Sequence, residues 1–296
     1  MIRNLAPDEV VWFIGRALAF LGHPEPHAMS MRLGNRLRDA VQDARHCFVL
    51  ERDAAAPSAG MHVVAPEPAD DVRTMVITSP WHDDDPDGFV ELLDTVLRKN
   101  AHEAVLVRLH SMSSARRDDL TRLIEPFGFV PDELRRLRFE LSDVPPIGAP
   151  LVLEAWQPDA DAAFRSLFQR AEGRMLGDAG WAFLKRRHGP FRPDLWYLAR
   201  ETLDQDPVGY AFCGTRARGV DASYALDAVG VLQEHRSDSE MLRRLLVSTL
   251  QELSSMSPMG VVDTELGQGD PKLIDILASL GFVEVERMPA LLRMPR

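Results

Sequence analysis

Residues 120–141 read LTRLIEPFGFVPDELRRLRFEL, and residues 273–294 read LIDILASLGFVEVERMPALLRM. At a shift of 153 positions Leu120 meets Leu273, Leu123 meets Ile276, Phe127 meets Leu280, and Gly128-Phe129-Val130 meets Gly281-Phe282-Val283. Each copy has apolar residues at helical spacing, then a glycine stop, then a strand-like run. The shift is about half the chain, so the stretch reads as the end of a domain-sized unit present twice. A solenoid would repeat every ~20–50 residues. A second match holds at the same shift: Phe89, Leu92, Leu93, Val96 and Leu97 pair with Leu242, Leu245, Leu246, Thr249 and Leu250, helix registered on helix.

Between the copies lies SDVPPIGAP, residues 142–150. Three prolines and a glycine cannot continue a helix or a central strand. The segment reads as a linker between an N-terminal lobe, 1–141, and a C-terminal lobe, 151–296. A chain of 296 residues suits two domains, each large enough to bury its own core. An apolar fraction of 45% and a charged fraction of 27% are those of a soluble globular protein. The net charge of −11 argues against general nucleic-acid binding, which needs a basic face to neutralise phosphates. Cys47 and Cys213 each lie in an apolar strand-like run and read as buried free thiols; neither a disulfide framework nor a zinc spacing is present. The apolar run from Val10 to Leu21 is broken by Arg16 and follows Asp8 and Glu9 instead of a basic stretch, so no signal peptide or membrane span is expected. The expected location is the cytoplasm.

The periodicity predicts a helix from Pro7 to Gly22, a second from Met29 to Asp43, and strands at 46–52, 60–65 and 72–78. A helix from Phe89 to Asn100, a strand from Ala104 to Leu109 and the repeated ending complete the first half. The second half gives a strand at 151–156, helices at 158–172 and 180–187, strands at 195–200, 208–213 and 223–232, a helix at 240–254, a strand at 260–265 and the second ending. Hairpins ahead of strand–helix pairs imply a mixed α/β sheet in each lobe. The run DDDPDG at 83–88 opens the Phe89 helix; a solvated acidic turn explains it better than a metal loop, and no metal is expected.

The order of elements, with PVGYAFC at 207–213, ALDAVGVLQEHRSDSEMLRRLL at 225–246 and LIDILASLGFVEV at 273–285, resembles the GNAT N-acetyltransferase fold. The resemblance covers nearly the whole chain as a tandem pair. It implies two acyl-CoA N-acyltransferase-like lobes, each a mixed, mostly antiparallel sheet flanked by helices. In that family a strand ending in Val-x-Pro-x-x-Arg-x-x-Gly-x-Gly runs into a helix, and its loop amides bind the pyrophosphate of acyl-CoA, as unsatisfied amides and the helix dipole favour an anion. The resemblance therefore puts acetyl-CoA, as co-substrate, on Val229, Val231, Arg236, Ser237, Ser239 and Glu240. Gln233 replaces the proline, and Ser237 and Ser239 stand where glycines are usual. In the N-terminal lobe Asp83, Asp84, Asp85 and Asp87 surround the corresponding place, so that lobe is expected to be degenerate.

Family chemistry is attack of an amine on the thioester, aided by a base and often by a tyrosine four residues before the glycine of Leu-Gly-Phe. Those positions hold Leu277 and Ile124, which donate no proton. The replacement candidates are Asp227, which interrupts an apolar strand, and Tyr224 and Tyr210, on adjacent strands of the family fold. Asp263 and Glu265, read as the end of the next strand, are candidates to attract a cationic amine. The expected function is an acetyl-CoA-dependent N-acetyltransferase acting on an amine of a small molecule or peptide, with the C-terminal lobe active. The alternative is an inactive pseudo-enzyme serving as an acyl-CoA sensor or protein-interaction module. Two lobes in one chain imitate the dimers common among single-lobe relatives, so a monomer or a homodimer is expected, with no nucleic-acid or membrane partner.

Overall fold

The computed structural model describes residues 1–21, 47–52, 56–64, 74–109, 112–187, 190–216, 222–267 and 271–295. The expected helix from Met29 to Asp43 lies outside them. In chain order the elements are β1 (Ile2–Asn4), α1 (Val10–Leu21), β2 (Cys47–Leu50), β3 (Ala59–Val64), β4 (Thr74–His82), α2 (Pro86–Lys99), β5 (Ala104–Arg108), α3 (Ser114–Ile124), β6 (Val130–Glu140), β7 (Val152–Ala155), α4 (Asp161–Glu172), α5 (Asp178–Arg186), β8 (Trp196–Arg200), β9 (Gly209–Arg216), β10 (Ser223–Val231), α6 (Ser239–Met256), β11 (Val261–Gly267), α7 (Pro271–Leu280) and β12 (Val283–Arg293).

The glycine stops in the two copied endings have a backbone reason. Gly128 has φ +81° and Gly281 φ +103°, left-handed values that end the preceding helical segments and that side chains resist. The strands that follow then part company with their own repeats. One compact unit comprises Met1–Glu133 with Met288–Arg296, and the other Leu134–Arg287. The chain therefore changes unit inside β6 and again inside β12. The proline-rich segment at 142–150 is not where the contacts divide.

In the first unit the strand order is β1-β2-β3-β4-β5-β12, antiparallel throughout except for the parallel β4–β5 pair. Successive residues of β2 face opposite ways, Val49 into a core with Phe13, Ala17 and Phe20 of α1, and Leu50 into a core with Phe89, Leu92 and Leu93 of α2 and Leu120 of α3. The sheet is thus covered by α1 on one face and by α2 and α3 on the other. Its last strand comes from the end of the chain: Ala290 to Arg293 pair with Arg108 to Val105, and Leu291 joins the core.

The second unit has the order β6-β11-β10-β9-β8-β7, again antiparallel except for one parallel pair, β10–β11. On one face Trp196, Leu198, Tyr210 and Phe212 pack beneath Phe164 and Phe168 of α4 and Trp181 of α5. On the other, Leu226 and Val262 meet Leu246 and Leu250 of α6 and Ile276 and Leu277 of α7. Here the closing strand comes from the first repeat: Leu134 to Glu140 run antiparallel to Gly267 to Val261, and Leu137, Phe139 and Leu141 enter this core.

Burying each of those three side chains is worth about 1.5–3 kcal/mol, together a large share of the ~5–15 kcal/mol that stabilises a domain. The fragment 151–296, cut at the proline-rich segment, is therefore expected to show no cooperative urea transition by circular dichroism. The fragment 130–287, which keeps β6, is expected to show one.

Candidate functional site

The second unit holds an opening made by its own strand geometry. Along β10, Leu226 faces Cys213 and Ala228 faces Phe212, so Asp227 is the extra residue of a bulge. The parallel ladder to β11 runs from Ser223–Val261 to Leu226–Thr264 and stops at that bulge. The Thr264 hydroxyl donates to the Leu226 carbonyl at 3.0 Å and closes the ladder. Beyond it, Ala228 to Val231 keep β9 on one side, and the ladder to β11 does not continue on the other.

The C-terminal end of α4 comes down on this freed half of β10. The Tyr210 hydroxyl, from β9, donates to Glu172 Oε1 at 2.5 Å. Gly230 allows the approach: a Cβ there would lie 2.8 Å from Tyr210 Cε1 and 3.1 Å from Glu172 Oε1. The loop after β10 meets the same helix end, where Arg236 donates to the Ala171 carbonyl and the Gln233 amide nitrogen sits 3.1 Å from where a Cβ on Gly173 would be. Lys272 donates to the Arg236 carbonyl at 2.5 Å. The loop ends at Asp238, whose Oδ1 accepts from the backbone amides of Glu240 at 2.9 Å and Met241 at 3.2 Å, capping α6.

The residues singled out from sequence fall into three groups. Arg236, Ser237, Ser239 and Glu240 lie exposed on that loop and the start of α6, Val229 is half-buried, and Val231 is buried against Met241 and Leu245. Asp227 sits on the bulge with its side chain largely buried, 3.9 Å from Arg187 Nε. Of the remaining four, Tyr224 and Asp263 are not brought to the opening as expected, Tyr210 reaches it only as a buried support, and Glu265 is the first residue of β11 past the end of the ladder. Tyr210 is completely buried, and burial, then the Glu172 carboxylate, push its phenol far above the ordinary value. Tyr224 stands opposite Thr215 at the far end of the ladder from the Tyr210–Gly230 pair, buried in the α6–α7 core, and desolvation raises it too. Asp263 lies inside β11, not at its end; it is 0% exposed and takes a bidentate pair from Arg138, Nε to Oδ1 at 2.8 Å and Nη2 to Oδ2 at 3.1 Å. That pairing meets the charge that was expected to draw an amine. Glu265 is half-buried opposite Arg136.

Two residues of the opening escaped the sequence reading. Glu172 precedes a helix-ending glycine and looks like a solvated last turn. Asp238 carries a legible signal, since Asp immediately before an acidic, apolar helix start is a capping pattern.

The first unit contains the same construction with different contents. Its central strand β4 also carries one extra residue, two opposing Met61, with Ser79 at φ +52°, and its parallel ladder to β5 stops at Ile77–Val107. Trp81 then turns inward, wholly buried edge-on to Trp12 and Phe13. Asp85 caps α2 through the Gly88 amide at 2.9 Å and accepts from Ser58 Oγ at 2.6 Å, with Arg52 Nε at 3.3 Å. Burial opposes the Asp85 charge, but the bonds from Ser58 and Gly88 and the Arg52 charge outweigh it and hold the carboxyl below its ordinary range. Asp83 is paired with Arg16 at 2.7 Å.

Leu277 and Ile124, at the position of the family acid, are buried in their cores. Burial pushes the Cys47 thiol up to about 12 and raises Cys213 further, so neither supplies a thiolate near neutral pH. Among the described residues no group of three or more His, Cys, Asp or Glu is arranged to hold a metal, and no helix is long and apolar enough to cross a membrane.

No family model matches the chain, and no curated protein matches it. Solved structures do. A GCN5-related N-acetyltransferase from Sphaerobacter thermophilus is similar over 100% of this chain and 96% of that one, with TM-score 0.61 at 16% identity. A GCN5-related N-acetyltransferase from Anabaena variabilis matches over 100% and 73%, with TM-score 0.65 at 12% identity. A tandem GNAT protein from the clavulanic acid biosynthesis pathway matches over 100% and 98%, with TM-score 0.61 at 14% identity. At such identities the likeness is one of fold, and the fold of this chain is that of the GCN5-related N-acetyltransferases, in its tandem form.

Proposed function

We propose that the protein is an acetyl-CoA-dependent N-acetyltransferase acting on an amine of a small molecule or peptide, with the reaction in the second unit. The observation that carries this reading is the parting of β10 from β11 at the Asp227 bulge, which leaves one edge of a strand free beside a strand–helix loop. A thioester arm laid along Ala228 to Val231 would find backbone amides and carbonyls there. Arg236 and Lys272 supply positive charge near the loop for the donor's phosphates. The first unit differs at the matching turn, where Trp81 packs into the α1 core against Gly60 and Asp85 is bonded to Ser58 and the Gly88 amide.

The fit for a diphosphate is incomplete. Its natural partners are the first amides of α6, and Asp238 already accepts from two of them. A phosphate arriving there meets a carboxylate in its own place. That feature, with Leu277 at the acid position, favours the second reading, a pseudo-enzyme that senses acyl-CoA or docks a protein. The proposed cytoplasmic location and amine partner rest on the same acetyltransferase reading.

Calorimetric titration of the whole protein with acetyl-CoA and with CoA separates the two. Micromolar binding that weakens at least tenfold in Arg236→Ala, together with thiol release on adding amines, is the expected result. Binding without amine-dependent thiol release would leave the acyl-CoA sensor, and absence of heat and of any thermal shift the protein-docking module. Replacing Asp238 by Ser keeps a cap and removes a negative charge from the phosphate's surroundings; a like charge even at ~4 Å costs about 1 kcal/mol in bulk water. Asp238→Ser is therefore expected to bind acetyl-CoA about fivefold more tightly with a melting temperature close to that of the parent.

A further inference from the structure

We infer that Glu172 is the carboxylate that takes the proton from the acceptor amine, and that Tyr210 is its positioning residue. The inference rests on the acyl-transfer reading above and adds a residue to it.

Three observations converge on Glu172. Its side chain is 27% exposed at the end of α4, so it reaches solvent while lying against the sheet. Its Oε1 is held by the wholly buried Tyr210 hydroxyl, and its Oε2 is 3.8 Å from Arg174 Nε, so the carboxylate has a fixed direction. It lies directly over Gly230, within the freed half of β10 and three residues beyond the bulge. A side chain at 230 would fill that space, so glycine there is what lets a carboxylate lie on the face of β10 alongside the parted ladder. Tyr210 cannot act on a substrate itself, because its hydroxyl is sealed in the core; its bond orients the group that can. Asp227, another carboxylate of the opening, is more buried than Glu172 and faces Arg187.

The reaction balances with Glu172 as base. An ammonium group gives one proton to the carboxylate. The nitrogen lone pair forms the C–N bond at the thioester carbonyl carbon, and the carbonyl π pair moves to oxygen. As that pair returns, the C–S bond breaks with its electrons on sulfur. The second nitrogen proton goes to the thiolate and the proton on Glu172 to solvent, leaving an amide and a thiol.

The test uses the full chain with acetyl-CoA and three amines, spermidine, phenethylamine and a lysine-containing peptide, following thiol release. A positioned base contributes roughly 100- to 10,000-fold. Glu172→Gln is expected to lower kcat at least 100-fold with the calorimetric affinity for acetyl-CoA unchanged, and Glu172→Asp to recover part of the loss. Tyr210→Phe is expected to lower kcat about tenfold and leave the KM for acetyl-CoA in place, a split that loosening of the core alone would not give. Parent activity that survives within twofold in Glu172→Gln overturns the assignment of Glu172 and leaves the acyl-transfer reading standing. No amine-dependent thiol release by the parent protein overturns both.

Discussion

The pairing of Arg138 with Asp263 joins a strand of one sequence repeat to a strand of the other. Asp263 is wholly removed from water, in the middle of β11, and both its oxygens are met by the guanidinium of Arg138 on β6. Removing one partner from such a pair leaves a buried charge uncompensated, at a cost of about 3–5 kcal/mol. A slip of one residue would turn each side chain to the opposite face, so the pair also specifies register. With β6 fixed on one side, β11 is a firm wall, and its other side follows β10 for four residues before the two separate.

That separation is the origin of the site. A bulge inserts Asp227, the ladder ends, and Thr264 satisfies the last carbonyl. The freed backbone needs partners that a neighbouring strand no longer provides, which makes this half of β10 receptive to a ligand carrying amides of its own. The helix end bearing Glu172 and the loop bearing Arg236 and Asp238 close around it. In the first unit the same sequence of bulge, parted ladder and strand–helix turn is present, with Trp81 packed into the α1 core and Asp85 capping α2.

Much of the fold was legible in the sequence because it is written in local periodicity. The helices beginning near Phe89 and Glu240, the glycine stops at 128 and 281 and the interruption of an apolar strand by Asp227 all declare themselves within about a dozen residues. The exchange of β6 and β12 does not, since a strand's alternation fixes which residues face inward and not which neighbour it joins. For the same reason Asp263 read as a strand-end charge: its partner is 125 residues away. At the site, Arg236 and the serines followed from a resemblance, whereas Glu172 emerged only once Tyr210 and Gly230 were adjacent in space. Tyr210 as a free acid failed because an aromatic residue on a central strand is first of all core.

The central claim is that a thioester donor enters the second unit along the freed half of β10. Amide hydrogen exchange of the full chain, with and without saturating acetyl-CoA, tests it most directly. Slowed exchange from Asp227 to Met241, with Thr78 to Gly88 unchanged, is the result this account predicts. Protection at Thr78 to Gly88 in place of Asp227 to Met241, or no protection anywhere, would contradict it.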